Sequence, residues 1–518
     1  MAKTLPSIIL VITILFSGLI LAATRRTKLV SAITTTTTAL AISPSDDGIC
    51  SSMVKSQGYA CEEHLVTTQD GYILSMQRIP VGQSRGSLGN RPPILLQHGL
   101  FMDGITWLLL PPSRSLAFLL ADNGFDVWLA NTRGTKYSHK HTSLAPNDSA
   151  YWDWSWDELV AYDLPSTFQY VHQQTRQKLH YIGHSQGTLI ALAAFSKYQL
   201  SNMLRSAALL SPIAYVSQMT SPLARNAAEN FIAESLYKLG IFEFDLRGGA
   251  VVNFLRDLCK KPGIDCTNLL TSFTGPNCCL NPSIVNIFLD HEPQSTATKN
   301  MIHLSQTTLN TGSGQNTKLF PQNTTTIKKT AQHYQQQNTN TVSQAAWEAS
   351  QYALFFRPDP EPNSDDSLYP CYLLLPSTKF DGFVTMAAKL QLFSLGSFEV
   401  GGKVKFNHMA IAVIRQGTIA MYDYENDEEN TKHYGRPSPP VYDIARIPNN
   451  VPLFVSYGGA DALSDVKDVR RLLEILKDHE GDKLVVQYRD DYAHADYVMG
   501  QNAKKDVYDP LISFLRLQ

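Results

Sequence analysis

The octapeptide Tyr181-Ile182-Gly183-His184-Ser185-Gln186-Gly187-Thr188 constrains this chain more than any other stretch of it. A serine with glycine two residues before and two after, preceded by an apolar run and followed by good helix formers, fits a sharp strand-to-helix turn. Side chains two positions either side of the crest would collide there, and Gly183 and Gly187 supply the room. The turn lifts the Ser185 hydroxyl clear of the sheet. It also aims the backbone N–H of Gln186 outward at the start of a helix predicted over 188–198, with the helix dipole behind it. In 518 residues of this composition such a pentapeptide arises by chance about one time in ten, and the flanking strand and helix lower that to roughly a few per cent.

The rest of the chain repeats the strand–turn–helix theme. Apolar runs end at glycine or polar turns: Ile94 to Gln97 after Arg91-Pro92-Pro93, Phe125 to Ala130 after Gly124, Leu179 to Gly183, Ala207 to Ser211, and Pro452 to Tyr457 before Gly458-Gly459. Ser155 and Glu158 have capping-box spacing, and Val466, Val469, Leu472, Leu473 and Leu476 recur at helical intervals. This alternation predicts an α/β fold with a mostly parallel sheet covered on both faces. It is interrupted between Val216 and Asp443, which reads as an inserted unit. The expected division is a signal region at 1–32, a low-complexity linker at 33–47, core at 48–215, a cap at 216–440 and core again at 441–518.

A serine nucleophile needs a base and an orienting acid, which on such a sheet follow in the order serine, acid, histidine. Asp461 comes directly after the strand Pro452 to Tyr457 and the two glycines, where a side chain can reach over the sheet edge. His494 lies in the loop Asp491 to Asp496 after the next strand, Lys483 to Tyr488. Asp465 and His479 are weaker substitutes because both fall in or at the end of a helix. The Leu100 N–H in Gln97-His98-Gly99-Leu100 is the expected second oxyanion donor beside Gln186, and His98 is expected to shape that loop.

Composition narrows the partners. Forty-four Lys+Arg against 46 Asp+Glu leave no basic surplus, and no nucleic-acid motif is present, so nucleic acid is not expected as a partner. Lys3, the apolar stretch Ile8 to Ala23, and Arg25-Arg26 read as a secretory signal, cleaved near Ala22 and Ala23 or near Ala32. An uncleaved anchor is the alternative, disfavoured because the stretch falls short of the ~20 residues a span needs. On the secretory route the protein is expected to be extracellular or vacuolar/lysosomal, and the seven cysteines become disulfide candidates. Cys50 and Cys61 flank a short loop; Cys259, Cys266, Cys278 and Cys279 cluster; Cys371 stands apart and is expected to be the odd one out. Paired Cys-x-x-Cys knuckles are lacking, which argues against zinc, and His139-Lys140-His141 is expected to be a solvated loop. Asn147-Asp148-Ser149 and Asn323-Thr324-Thr325 are glycosylation sequons.

Six motifs in order, Gln97-His98-Gly99-Leu100, Asn131-Thr132-Arg133-Gly134, Trp152-Asp153-Trp154-Ser155-Trp156, Gly183-His184-Ser185-Gln186-Gly187, Gly458-Gly459-Ala460-Asp461 and Tyr492-Ala493-His494, resemble the acid lipase family, its plant triacylglycerol lipase branch above all. The resemblance runs from about Cys50 to the C-terminus. It implies an α/β-hydrolase core, a helical cap inserted after the strand ending near Ser211, and hydrolysis of water-insoluble acyl esters at a lipid–water interface. It implies further that Ser185 is the nucleophile, Asp461 the acid and His494 the base, with no metal or other cofactor. Apolar cap residues such as Phe231, Ile232, Leu236 and Leu239 are candidates for an acyl tunnel or an interface, and ordinary packing is the alternative. A steryl ester hydrolase, an acyltransferase on the same core and a catalytically impaired lipid-binding protein are the alternative functions. The oligomeric state is not readable from sequence.

Residues 307–412 depart from the family pattern. Joining Gln306 to Val413 restores one cap helix, with Met301, Leu304 and Ile414 on a common face. The intervening segment opens as a Gln/Asn/Thr/Ser tract without acidic residues between Glu292 and Glu348, and it contains Cys371. It is expected to be foreign to the fold, as an aberrant insertion; a functional surface domain is the competing reading.

Overall fold

The computed structural model describes residues 48–83, 91–198, 200–247, 267–308 and 419–518. The signal region 1–32, the linker 33–47, Cys259, Cys266, Cys371, Asn323 and residues 309–412 of the expected insertion lie outside the described residues, as does the helix continuation through Val413 and Ile414.

Runs of apolar residues too short for a helix become the buried strands of a nine-stranded sheet. In chain order the strands are β1 (Glu62–Thr67), β2 (Tyr72–Ile79), β3 (Pro93–Gln97), β4 (Asp126–Ala130), β5 (Lys140–His141), β6 (Leu179–His184), β7 (Leu204–Leu210), β8 (Glu243–Phe244), β9 (Thr296–Ala297), β10 (Leu453–Gly458) and β11 (Leu484–Arg489). The spatial order is β1-β2-β4-β3-β6-β7-β10-β11, with β5 on β2 and with β8 and β9 forming a separate ribbon. From β4 to β11 every pairing is parallel; β1, β2 and β5 are antiparallel. The central strands β3, β4, β6 and β10 are buried along their whole length, as a sheet sandwiched between helices requires.

The antiparallel pair β1–β2 is the part of the sheet that the sequence alternation does not reveal. β1 is mostly exposed, so its apolar signal is diluted by Glu62, Glu63 and His64. The expectation of a solvated loop at His139-Lys140-His141 is corrected: Lys140 and His141 pair with β2, His141 Nε2 meets the Asp70 carbonyl at 2.8 Å, and His139 packs on Tyr151 and Trp152.

The helix Gln186–Ser196 is buried on every side, which explains why its sequence, QGTLIALAAFS, is apolar all round rather than amphipathic. Val466–Ile475 carries the opposite pattern and lies over the sheet by Val469 and Leu472, with Asp465 capping its N-terminus. Ser155 and Glu158 form the expected capping box. Cys50 and Cys61 are joined in a disulfide.

The segment between β7 and β10 supplies the helices Pro222–Glu229, Ile232–Lys238, Thr267–Thr274, Pro282–His291, Thr298–Thr308 and Asp427–Tyr434. Trp156 packs against this segment. Trp152, Trp154 and Trp156 are buried, and His303 stacks over Trp156 with ring centroids 4.2 Å apart. His303 Nε2 donates to the Ala420 carbonyl at 3.0 Å, and Nδ1 accepts from the Ser155 hydroxyl, also at 3.0 Å. Among the described residues no helix is long and apolar enough to cross a membrane.

Candidate active site

β6 ends at His184, and Ser185 takes φ 54° and ψ −123° before the helix begins at Gln186. A non-glycine residue with positive φ costs on the order of 1 kcal/mol or more and persists only where its surroundings hold it. Here the Ser185 N–H donates to the Leu210 carbonyl at 3.2 Å, and the Ser185 carbonyl accepts from both the N–H and the hydroxyl of Thr188. The two glycines are sterically required. A β-carbon on Gly187 would stand 2.6 Å from the Gln97 carbonyl oxygen, and one on Gly183 would stand 2.9 Å from the Gly187 backbone.

The loop after β3 closes directly over the serine. A β-carbon on Gly99 would fall 2.7 Å from Ser185 Cβ and 3.2 Å from its Oγ. His98 fastens this loop. Because the Thr132 N–H donates to His98 Nε2 at 3.1 Å, the ring proton must sit on Nδ1, which donates to the Gly99 carbonyl at 2.8 Å. Burial lowers the His98 pKa to about 4, so the ring stays neutral and serves to shape the loop. Neither the Leu100 N–H nor the Gln186 N–H donates to an acceptor among the described residues, which leaves two backbone donors beside Ser185.

Asp461 and His494 meet on the other side. His494 Nδ1 lies 3.0 and 3.1 Å from the two Asp461 oxygens, and its Nε2 has no hydrogen-bond partner among the described residues. Both side chains are buried. Burial works to raise the Asp461 carboxyl, but the His494 charge, hydrogen bonds from His494 and Ser211, and the Ser464 N–H outweigh it and hold the acid below its ordinary value. His184, next to the serine, donates from Nε2 to the His494 carbonyl at 3.1 Å; burial and then the His494 charge lower its pKa to about 3. The two rings are 4.9 Å apart, which brings His494 to the Ser185 end of β6. Asp465 and His479 take no part, being occupied with the Lys467 N–H and the Leu476 carbonyl.

Residues 50–110 match the family described as a partial alpha/beta-hydrolase lipase region, and residues 92–270 match the alpha/beta hydrolase fold. The chain is 40% identical to triacylglycerol lipase 2 of Arabidopsis thaliana over 91% of its own length and 88% of that protein. The chain belongs to the acid lipase family. It is also 32% identical to triacylglycerol lipase 1 of Arabidopsis thaliana, over 91% of each chain, and 27% identical to human gastric triacylglycerol lipase, over 90% of each.

In this acid lipase family member the segment between β7 and β10 reaches the loops that carry Asp461 and His494. The Thr274 carbonyl accepts the N–H of Ala462 and of His494, at 3.1 and 3.2 Å. Asp496 accepts the N–H groups of Ala493, Cys278 and Cys279. Cys278 and Cys279 are joined to each other. Their sulfurs and the Asp496 oxygens lie within 4.8 Å of one another, but the disulfide and the three N–H bonds already occupy those atoms, so the group does not suit a metal ion. On the oxyanion side, the Asp103 N–H donates to Glu292 at 3.0 Å and the Gln294 N–H to the Phe101 carbonyl at 2.7 Å. The Gln186 side chain donates to Asn300 at 3.2 Å.

Sequence reasoning names Ser185, Asp461, His494, Leu100, Gln186, Gly183 and Gly187, and the fold brings all seven to one end of β3, β6 and β10. It misses Ser211, Glu292, Thr274 and Asn300, whose parts depend on contacts across long stretches of chain. Only Ser211 carried a signal, a serine at a strand end where the chain turns sharply.

Proposed function

We propose that this chain is a serine carboxylic-ester hydrolase acting on lipid esters, a triacylglycerol lipase working through an acyl-enzyme. The observation that carries the reading is the buried Asp461–His494 pair facing a serine held at positive φ beneath two undirected backbone N–H groups. Ser185 Oγ attacks the ester carbonyl while His494 Nε2 takes its proton; Asp461 holds Nδ1–H and stabilises the imidazolium. The Leu100 and Gln186 N–H groups receive the developing oxyanion, and the alkoxide leaves with the proton from His494. Water then repeats the sequence on the acyl-enzyme and frees the fatty acid.

The substrate class rests on the relatives, named as triacylglycerol lipases, and on the cap. Leu223, Phe231, Leu239 and Ile287 expose 37, 39, 49 and 36% of their surfaces in or beside helices of this segment, which suits contact with a lipid–water interface. Leu236 points inward and packs. The cap is assigned to 216–440 between the two core segments, and the protein to the secretory route, where the exposed Asn147 is a glycan acceptor.

Labelling with a fluorophosphonate probe tests the reading. The full-length protein should label, Ser185→Ala should not, and a variant lacking residues 307–412 should label at least as fast as the parent. Undiminished labelling of Ser185→Ala would remove this serine from the mechanism; labelling confined to the shortened variant would mean that the intact chain is not the working enzyme.

A further inference from the structure

Ser211 follows β7 and is fully buried, with φ 52°. Its hydroxyl donates to Asp461 Oδ2, and its oxygen lies 3.1 Å from His494 Nδ1. We propose that Ser211 is a fourth member of the Ser185–His494–Asp461 arrangement, a positioning residue that completes the hydrogen-bond shell of the Asp461 carboxylate and shares the His494 Nδ1–H. The proposal rests on the triad reading above and adds a residue that acts through Asp461 and His494.

The first argument is the count of partners. An ionised carboxylate has about four lone-pair sites and, once buried, must fill them to stay charged. Asp461 Oδ1 takes the N–H groups of Leu463 and Ser464, at 2.9 and 2.8 Å, and His494 Nδ1 bridges both oxygens. The Ser211 hydroxyl fills the remaining site on Oδ2. It is the only one of these donors that also offers a lone pair to Nδ1–H, and the charge on the ring is greatest when that lone pair matters most, in the imidazolium.

The second argument is backbone strain. Glycine would relax a φ of 52°, yet a serine stands there, so the position retains a side chain at a conformational cost. The third is connection. The Leu210 carbonyl receives the Ser185 N–H, the Ser211 N–H bonds to the Ser456 carbonyl, the Pro212 carbonyl receives the Ser464 hydroxyl, and the Ile213 N–H donates to Thr188 Oγ1. One four-residue turn thereby ties the nucleophile elbow to the acid loop, and Ser211 points from its centre at the acid and the base.

Ser211→Ala removes the hydroxyl and Ser211→Gly removes it while relieving the backbone. Both are compared with the parent and Ser185→Ala on a soluble short-chain p-nitrophenyl ester across pH, with thermal unfolding alongside. Loss of a hydrogen bond to a charged group should lower kcat about ten- to hundred-fold in both Ser211 variants with KM little changed. Losing the hydroxyl donor lets the carboxylate and its imidazole partner bind a proton more tightly as a pair, and this outweighs the lost lone pair because both Asp461 oxygens still hold Nδ1–H, so the acid limb of kcat/KM should move to higher pH. Among the described residues, the other titratable groups facing Asp461 are His184 and Tyr497, neither of which is altered. Parental kcat and an unmoved acid limb in the folded variants overturn the proposal, as does a fall in kcat with the limb unmoved, which marks packing alone. If Ser211→Ala does not fold, Ser211→Gly decides. Turnover surviving in Ser185→Ala refutes the triad reading itself and is a separate result.

Discussion

Replacing Asp103 by asparagine should stabilise this protein at neutral pH and leave it unchanged in acid. Asp103 lies just beyond the oxyanion loop, fully buried, where one carboxylate oxygen caps the Ile105 N–H at 2.8 Å and the carboxyl group pairs with the buried Glu292 side chain. Burial raises its pKa from 3.8 to about 6, against the opposing pull of the Ile105 N–H, Glu292, Arg247 and Lys136. Glu292, buried against it, is pushed up by burial and then by the Asp103 charge, so the proton of the pair resides on Glu292. Because the native pKa of Asp103 is the higher one, its contribution to stability is complete below about 3.8 and is lost as pH rises through about 6. A proton bound about a hundredfold more tightly in the native state corresponds to about 3 kcal/mol. Asparagine keeps the cap acceptor and carries no charge to desolvate. The expected result is equal apparent melting temperatures near pH 4 and an advantage for Asp103→Asn of about 3 °C near pH 7.5, using the entropy scaling for several hundred residues. Circular dichroism melts at one fixed scan rate measure this. An advantage independent of pH, or a deficit at neutral pH, would refute the argument from desolvation.

Gly187→Ala drives a β-carbon to 2.6 Å from the Gln97 carbonyl and 2.9 Å from the His98 carbonyl, both backbone atoms that cannot swing aside. Probe labelling of Ser185 should fall by at least about a hundredfold through displacement of the elbow, with a stability loss of about 1–3 kcal/mol by denaturant titration. Arg133 is buried over the Tyr72 ring and bonded to Asp70 and Asp163, so Arg133→Met leaves two carboxylates without their cation. It should cost about 3–5 kcal/mol in unfolding free energy, while kcat of the folded fraction stays parental because Arg133 touches none of the triad residues.

Much of the candidate site was legible because its chemistry is local. Gly183, Ser185 and Gly187 are read from one turn, and Asp461 and His494 from their places after strands whose apolar runs are unmistakable. What escaped was non-local. Ser211 reaches Asp461 across 250 positions, and Glu292 reaches Asp103 across 189. No periodicity links such residues, since each is an isolated polar group whose partner is chosen by packing. The strand β1 escaped for the opposite reason, being so exposed that alternation hardly marks it. His139 and His141 looked solvated because two histidines around a lysine resemble a surface, yet Lys140 and His141 pair with β2 and His139 packs on Tyr151 and Trp152.

The sequence by itself determined the fold class, the chain order of Ser185, Asp461 and His494, which we propose as nucleophile, acid and base, and the glycines that let Gln97 and His98 pass close to the elbow. Each of these follows from steric and hydrogen-bonding demands expressed within a few residues. The tertiary structure alone decided how the Asp461 and His494 side chains are held. It placed the Thr274 carbonyl, from the segment between β7 and β10, between the loops of Asp461 and His494, closed the Asp461 shell with Ser211, and buried Asp103 against Glu292. A buried charge takes its properties from whichever atoms surround it in space, and chain order does not specify those atoms until the sheet and cap have packed.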